Sequence, residues 1–243
     1  MRSLLLMIVF LTRIPIKYPY EYKEEDFVKG IKLLPIVGMI IGLVMYIPTM
    51  LDKYIDKPII ILLVWLTYIW ITGGLHLDGL TDTFDGIFSN RDRERMLEIM
   101  KDSRIGTFGV IGLLFVLFCN IVVSYYLGYK VFILVPIIGR SAALISCSIS
   151  RYARNEDGMG TIFIENCGLK ESIFGLIFTL IVSYIVFDVK VLTILLITYL
   201  LVVLTTKYIK TKIGGMTGDT IGFVIEVSQS IFIIAFYLYS KIV

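Results

Sequence analysis

Seven stretches of this chain are apolar almost without interruption, each about the length of a membrane crossing, and that leaves few folds open to it. They cover residues 33–51, 58–75, 105–127, 131–149, 172–187, 191–206 and 221–239. The hydrocarbon core of a bilayer takes about 20 residues of helix, within a range of ~17–25. Inside lipid every backbone N–H and C=O must find a partner within the protein, and spans this long do so as helices rather than as a barrel. The expected fold class is therefore all-α. It is a polytopic integral membrane bundle of about seven transmembrane helices, one membrane-embedded domain over residues 1–243. A shorter apolar stretch, 4–11, runs into Arg13 and Pro15. It is expected to lie in the interface or re-enter rather than cross. Only Arg2 precedes it and no small-residue cleavage site follows, so it does not read as a removable signal peptide.

Charge agrees with that reading and excludes others. Charged residues make up 18% of the chain, against about a quarter in a soluble domain. The net charge of +3 is spread over many short connections, so no basic patch points to nucleic acid. The three cysteines, Cys119, Cys147 and Cys167, form no CxxC and suggest neither a disulfide framework nor a zinc site. Lys and Arg alternate between rich and poor connections along the chain. Segment 13–32 holds five (Arg13, Lys17, Lys23, Lys29, Lys32) and segment 76–104 another five (Arg91, Arg93, Arg95, Lys101, Arg104). Segments 150–171 and 207–220 are the other rich ones. The positive-inside rule puts all four in the cytoplasm of a cell-membrane protein, and nearly every polar motif falls on that side.

The densest of those motifs is 73–86, Gly-Gly-Leu-His-Leu-Asp-Gly-Leu-Thr-Asp-Thr-Phe-Asp-Gly. Asp78, Asp82 and Asp85 recur at i, i+4 and i+7, which places them on one stripe of a helix. Three like charges on one face repel, and a divalent cation offsets this directly. Oxygen-only ligation suits Mg²⁺ or Mn²⁺, and Mg²⁺ usually takes one or two carboxylates together with substrate phosphate oxygens. A solvated acidic face is the alternative, although the flanks here are apolar and glycine-rich. His76, the only histidine, projects away from Asp78 on an ideal helix and suits a hydrogen-bonding or substrate role as well as a metal one.

A second acidic stretch has the same skeleton. Gly214-Gly215 is followed by Thr217, Asp219 and, seven residues on, Glu226, which sits inside the last apolar run together with Gln229. The repeated pattern suggests two acidic helix faces meeting across one cavity. A carboxylate such as Glu226 in an apolar helix needs a cation or donor nearby, or a proton. Arg140 likewise lies in mid-run, where an arginine costs roughly 2.5–3.5 kcal/mol on insertion scales; an acidic group or an anionic ligand is expected beside it. Lys101, Ser103 and Arg104 precede the 105–127 run, a position suited to phosphate as well as to ordinary positive-inside flanking. Arg151 and Arg154 belong to a polar loop that either contacts substrate or only connects helices. Residues 90–100 read as an amphipathic interfacial helix.

Carboxylates suited to a divalent cation, arginines on the same face and glycines permitting close approach together suggest phosphoryl transfer. No Walker A loop or kinase signature is present. A secondary transporter binding Na⁺ or H⁺ through its intramembrane acids is the rival class; a scaffold without chemistry would leave the paired acids unexplained.

Those residues resemble one family. The 73–86 run, the 100–109 run Met-Lys-Asp-Ser-Arg-Ile-Gly-Thr-Phe-Gly, Gly139-Arg140, the 214–219 run Gly-Gly-Met-Thr-Gly-Asp with Glu226, and the early Phe-Leu-Thr-Arg-Ile-Pro at 10–15 are similar to the signatures of cobalamin synthase, the adenosylcobinamide-GDP ribazoletransferase family. The resemblance implies a Mg²⁺-dependent membrane enzyme of vitamin B12 biosynthesis. It would join adenosylcobinamide-GDP to α-ribazole or its 5′-phosphate, with release of GMP. It implies that Asp78, Asp82 and Asp85 hold the metal against the diphosphate, and that Asp219 and Glu226 complete the site or supply a general base. Arg104 and Arg140 would steady phosphates, with His76, Lys101, Ser103, Arg151 and Thr217 as further substrate-binding candidates. Gln229 stands where many members carry Glu, and Phe223 where Ala is expected, so position 229 is not assigned to metal. The lipid bilayer is the other partner, and the oligomeric state stays open.

Overall fold

The structure, a computed structural model, describes residues 1–156 and 158–242. Among them are twelve α-helices and one isolated bridge, with no strands: α1 Arg2–Leu11, α2 Glu24–Ile31, α3 Leu34–Tyr46, α4 Lys57–Thr72, α5 Leu75–Ile87, α6 Arg93–Ile99, α7 Thr107–Ser124, α8 Val131–Ser148, α9 Met159–Glu165, α10 Leu169–Phe187, α11 Val191–Ile213 and α12 Gly218–Ile242. Six are long and apolar enough to span a membrane when α3 is taken with its short 3-10 extension to Leu51. The bent pair α4 and α5 makes a seventh if it is counted as one span. This is a multi-pass membrane protein. α1 has ten residues, about 15 Å of helix, and is too short to cross.

Burial separates the bundle into a centre and a periphery. α8 is 89% buried along its span and α12 61%, whereas α7 and α10 fall to 28% and 22%. Lipid is as apolar as leucine, so close fit and hydrogen bonds between helices decide which helix goes inside. α3 meets that requirement with Gly38 and Gly42, one turn apart against α8; a Cβ at Gly38 would stand 2.6 Å from the carbonyl oxygen of Pro136. Ser141 shares a hydrogen bond with Thr179 and Ser146 one with Thr206, both at 2.7 Å, fastening α8 to α10 and α11.

The one large departure from straight crossings builds the site. The apolar run 58–75 does not continue as a single helix. α4 stops at Thr72, and Gly73 and Gly74 both take left-handed backbone angles, with φ of 65° and 73°. Glycine adopts that region without a Cβ penalty. The chain turns by 90°, so α5 lies across the bundle along its rim instead of passing through it. There it packs against the first turns of α12. Gly79 and Gly222 permit the contact: a Cβ on Gly79 would be 2.7 Å from the Asp219 carbonyl oxygen, and one on Gly222 3.0 Å from that of His76.

Candidate functional site at the crossing of two helices

The three aspartates of α5 share a helix, but their surroundings differ. Asp78 is exposed, Asp82 half-buried and Asp85 buried. The Oδ2 of Asp85 accepts the backbone N–H of Gly106 at 2.7 Å, and its Oδ1 accepts that of Gly109 at 2.8 Å. Those amides open α7, where a helix has donors without intrahelical partners and a positive dipole end. Asp85 thus caps a neighbouring helix from a distance. The periodic stripe does not convert into three equivalent ligands.

Asp219 reaches the same place from α12. The 214–217 turn before it is held by a short bridge to 151–153, in which Ala153 N–H donates to the Met216 carbonyl at 2.8 Å and Met216 N–H to that of Arg151 at 2.9 Å. Thr217 and Thr220 then exchange backbone-to-hydroxyl bonds of 3.2 and 2.8 Å at the helix start. The Thr217 hydroxyl also donates to Asp219 Oδ2 at 3.3 Å, and Arg154 Nη2 donates to the same oxygen at 2.9 Å. Asp82 sits within the electrostatic reach of Asp78, Asp219 and Asp85, with Arg154 as the opposing cation. α5 and α12 therefore do bring two acidic faces together. Their full ionisation is unfavourable without added positive charge. Among the described residues no three His, Cys, Asp or Glu side chains gather closely enough to enclose a metal by themselves.

Asp78 and Asp219 border a cleft of about 230 Å³ that runs inward from the crossing. Its walls are apolar, with Phe10 from α1, Phe27 from α2, Phe163 from α9 and Ile221 and Ile225 from α12. His76 also lines it, buried, and its Nε2 has no hydrogen-bond partner among the described residues.

Glu226 belongs to a different group, two turns deeper in α12. It is 1% exposed and its Oε1 accepts the hydroxyl of Tyr68 at 2.5 Å; Gln229 Nε2 donates to that same Tyr68 oxygen at 2.9 Å. Arg140, fully buried, lies with its guanidinium carbon 5.8 Å from the Tyr68 ring centre. Its three nitrogens have no hydrogen-bond partner among the described residues. It is near enough to Glu226 and His76 to act on both through charge. The structure does not join Glu226 to Asp82 and Asp219.

The basic candidates are dispersed. Arg104 is exposed and paired with Asp102 at 2.6 Å, and it holds the Asp102 carboxyl down, to about 2. Ser103 is exposed beside it. Lys101 pairs with Glu156, joining the turn after α6 to the 150s loop and lowering the Glu156 carboxyl. Arg151 is exposed, its Nε donating to the Gly214 carbonyl at 3.2 Å. Arg154, which the sequence offered only as part of a polar loop, and Tyr68, an ordinary tyrosine within a span that sequence reasoning missed, are the side chains that reach Asp219 and Glu226.

A family model described as Cobalamin-5-phosphate synthase matches residues 3–237. A protein of Alkaliphilus oremlandii named adenosylcobinamide-GDP ribazoletransferase is 51% identical over the whole of both chains. Proteins of the same name from Clostridium acetobutylicum and Acetivibrio thermocellus are 45% and 42% identical, with 96–98% of each chain covered. No solved structure matches.

Proposed function

The chain belongs to the cobalamin-5-phosphate synthase family, and we propose from that premise that it carries out the ribazole transfer at the crossing of α5 and α12. The observation that carries the assignment is the meeting of Asp78, Asp82 and Asp219 with Arg154, where Asp78 and Asp219 border a cleft. The substrates are adenosylcobinamide-GDP and α-ribazole or its 5′-phosphate. A ribose hydroxyl forms a new P–O bond to the phosphorus on the cobinamide side of the diphosphate. The P–O bond to the guanylate breaks, GMP departs, and the hydroxyl proton passes to Asp219. Phosphoryl transfer of this kind asks a protein mainly for positioning and charge complementarity. Arg154 supplies both, fixing Asp219 and presenting a guanidinium to the phosphate region.

The donor set suits a cation. Asp85 is engaged by backbone amides and Asp219 by Arg154. Asp78 and Asp82, one turn apart, make no ion pair among the described residues. Two carboxylates leave room for water and phosphate oxygens in an octahedral Mg²⁺ shell. Mg²⁺ held there, or Mn²⁺ in its place, supplies charge neutralisation at the diphosphate. The distribution of Lys and Arg supports a site facing the cytoplasm from the cell membrane.

The test is GMP release from adenosylcobinamide-GDP and α-ribazole by the purified protein in liposomes. Turnover should vanish with EDTA and return with Mg²⁺. Turnover undiminished by EDTA would remove the metal role, and ion-gradient-driven uptake without GMP would favour transport instead.

A further inference from the structure

A second cleft, of about 260 Å³, lies between α6 and the 150s loop and has Arg154 in its wall. It is smaller than the ~300–1,000 Å³ of pockets that enclose a whole drug-sized ligand, so it takes one end of a larger molecule. Its two sides are fastened to each other. Arg93 Nε donates to the Ile213 carbonyl at 2.9 Å and its Nη2 to that of Ala153 at 2.6 Å, binding α6 to the end of α11 and to the loop. Lys101, in the turn after α6, pairs with Glu156 of the loop. Arg154 connects this cleft to the rim: among the described residues its one hydrogen bond is the Nη2 donation to Asp219 at 2.9 Å. An anion held by Arg154 here is therefore brought beside the rim carboxylates.

The lining sets an acceptor next to a donor. Of its acids, Glu94 and Glu156 are paired with cations of the cleft itself, Arg93 and Lys101. Glu98 is paired instead with Arg95 at 2.8 Å, outside the lining, and both of those side chains are more than half exposed. Exposed pairs of that kind hold weakly, so Glu98 can exchange its partner for a ligand. An ammonium has three N–H donors, and Lys101 keeps donor capacity while paired with Glu156. The Lys101 backbone N–H donates to the Glu98 carbonyl at 3.0 Å, so the two side chains leave neighbouring positions. Guanine has the matching edge, an O6 acceptor followed by the N1–H and N2–H donors. Adenine reverses the first two, with an N6–H donor and an N1 acceptor, and would set like against like. The base of an N-glycosylated ribazole has no N–H to give a carboxylate. The face of Leu97 remains for the flat side of a ring.

Resting on the transferase reading above, we propose that this cleft holds the guanylate end of adenosylcobinamide-GDP. Glu98 accepts from guanine N1–H and N2–H, Lys101 donates to O6, and Arg154 meets the diphosphate. The cobinamide then stays outside the cleft, and the P–O bond to the guanylate lies beside Arg154, next to the rim where the acceptor attacks. Recognition of the leaving nucleotide is thereby separated from recognition of the ribazole.

The experiment uses the full chain in liposomes, with GMP and AMP as probes, which share sugar and phosphate and differ in the base edge. GMP should inhibit competitively against adenosylcobinamide-GDP with a Ki at least tenfold below that of AMP, and equal inhibition by the two would overturn the proposal. Glu98→Gln replaces one acceptor oxygen by a donor and touches no rim carboxylate. It should raise KM for adenosylcobinamide-GDP at least fivefold, shrink the preference for GMP over AMP to less than threefold, and leave KM for α-ribazole within twofold. An unchanged preference, or a rise confined to KM for α-ribazole or its 5′-phosphate, would overturn the assignment. Should that variant fold poorly, the wild-type comparison of GMP with AMP decides alone. Direct calorimetric binding of the two nucleotides separates this proposal from the reading it rests on. Selective GMP binding without any GMP release would sink the transferase reading and keep the guanine cleft, whereas turnover with no preference for GMP would do the reverse.

Discussion

Asp82 and Glu226 are both acids that the sequence places beside apolar runs, and the structure treats them in opposite ways. Asp82 is half-buried on the rim, among like charges, with Arg154 as the cation opposing them. Glu226 is sealed inside the bundle with a tyrosine hydroxyl donated to it and a buried arginine nearby. In lipid a buried acid has to be satisfied by its neighbours. Glu226 has been, and the Tyr68–Glu226–Gln229 group ties α4 to α12. The rim group is short of positive charge, which is the condition of a site waiting for a ligand. An acid in a membrane helix therefore reports on function only once its partners are known.

That contrast is sharpest when each acid is deleted. Glu226→Ala leaves the buried Tyr68 hydroxyl without its acceptor, and a buried donor left unsatisfied costs about 1–3 kcal/mol. The variant should unfold much more readily in detergent, by thermal or denaturant melting, while Glu226→Gln keeps the tyrosine contact and loses less. Turnover per folded molecule should stay within severalfold of wild type for Glu226→Gln. A Gln variant that melts normally but has no turnover would erase the distinction and move Glu226 into the chemistry. Asp82→Ala is expected to behave conversely. Its melting should be near that of wild type, and kcat should fall by about 10²–10³-fold, the scale seen when one preorganised electrostatic group is removed from an active site. Near-normal turnover of Asp82→Ala in Mg²⁺ would count decisively against the rim cluster.

How much of this could be read from the chain follows from which interactions are local. The crossings came from apolar runs, since lipid imposes their length and composition directly. The i, i+4, i+7 aspartates were visible because helical periodicity is local, and so was the repeated Gly-Gly pattern that ends α4 and α11. The break at Gly73-Gly74 was visible as a glycine pair, but its right angle was not, since only the backbone angles there set it. Asp85 was grouped with Asp78 and Asp82 by spacing, yet its partners are amides 21 and 24 positions away. Arg154 and Arg151 are alike in sequence, and only the packing of the 150s loop on the 214–217 turn selects Arg154 for Asp219. Partners brought together by tertiary contact leave little trace in local pattern.

The third aspartate divides the two regions more finely. Asp85→Asn keeps the size of the side chain but offers one carbonyl oxygen where two carboxylate oxygens now accept amides. Loss of a cap of this kind costs about 1 kcal/mol. Melting should shift modestly, and kcat should fall by severalfold through displacement of α5, with the Mg²⁺ concentration giving half-maximal rate unchanged within twofold. A tenfold rise in that Mg²⁺ requirement would return Asp85 to the metal site and make the stripe a three-ligand one.

The smallest effect is expected at Arg104, and it bears on how complete the rim is. The resemblance to known signatures implied that this arginine steadies a phosphate, whereas its side chain is 86% exposed and bound to Asp102. An exposed pair of this kind contributes between about 0 and 1 kcal/mol. Arg104→Ala should therefore change kcat/KM for adenosylcobinamide-GDP by less than threefold, with Arg154→Gln losing at least tenfold under the same conditions. If the two variants instead lose activity equally, and only at low ionic strength, then the turn at 100–106 closes on the diphosphate during turnover. The rim cluster would gain a cation that it lacks at rest, and the site would be assembled by its substrate rather than standing ready for it.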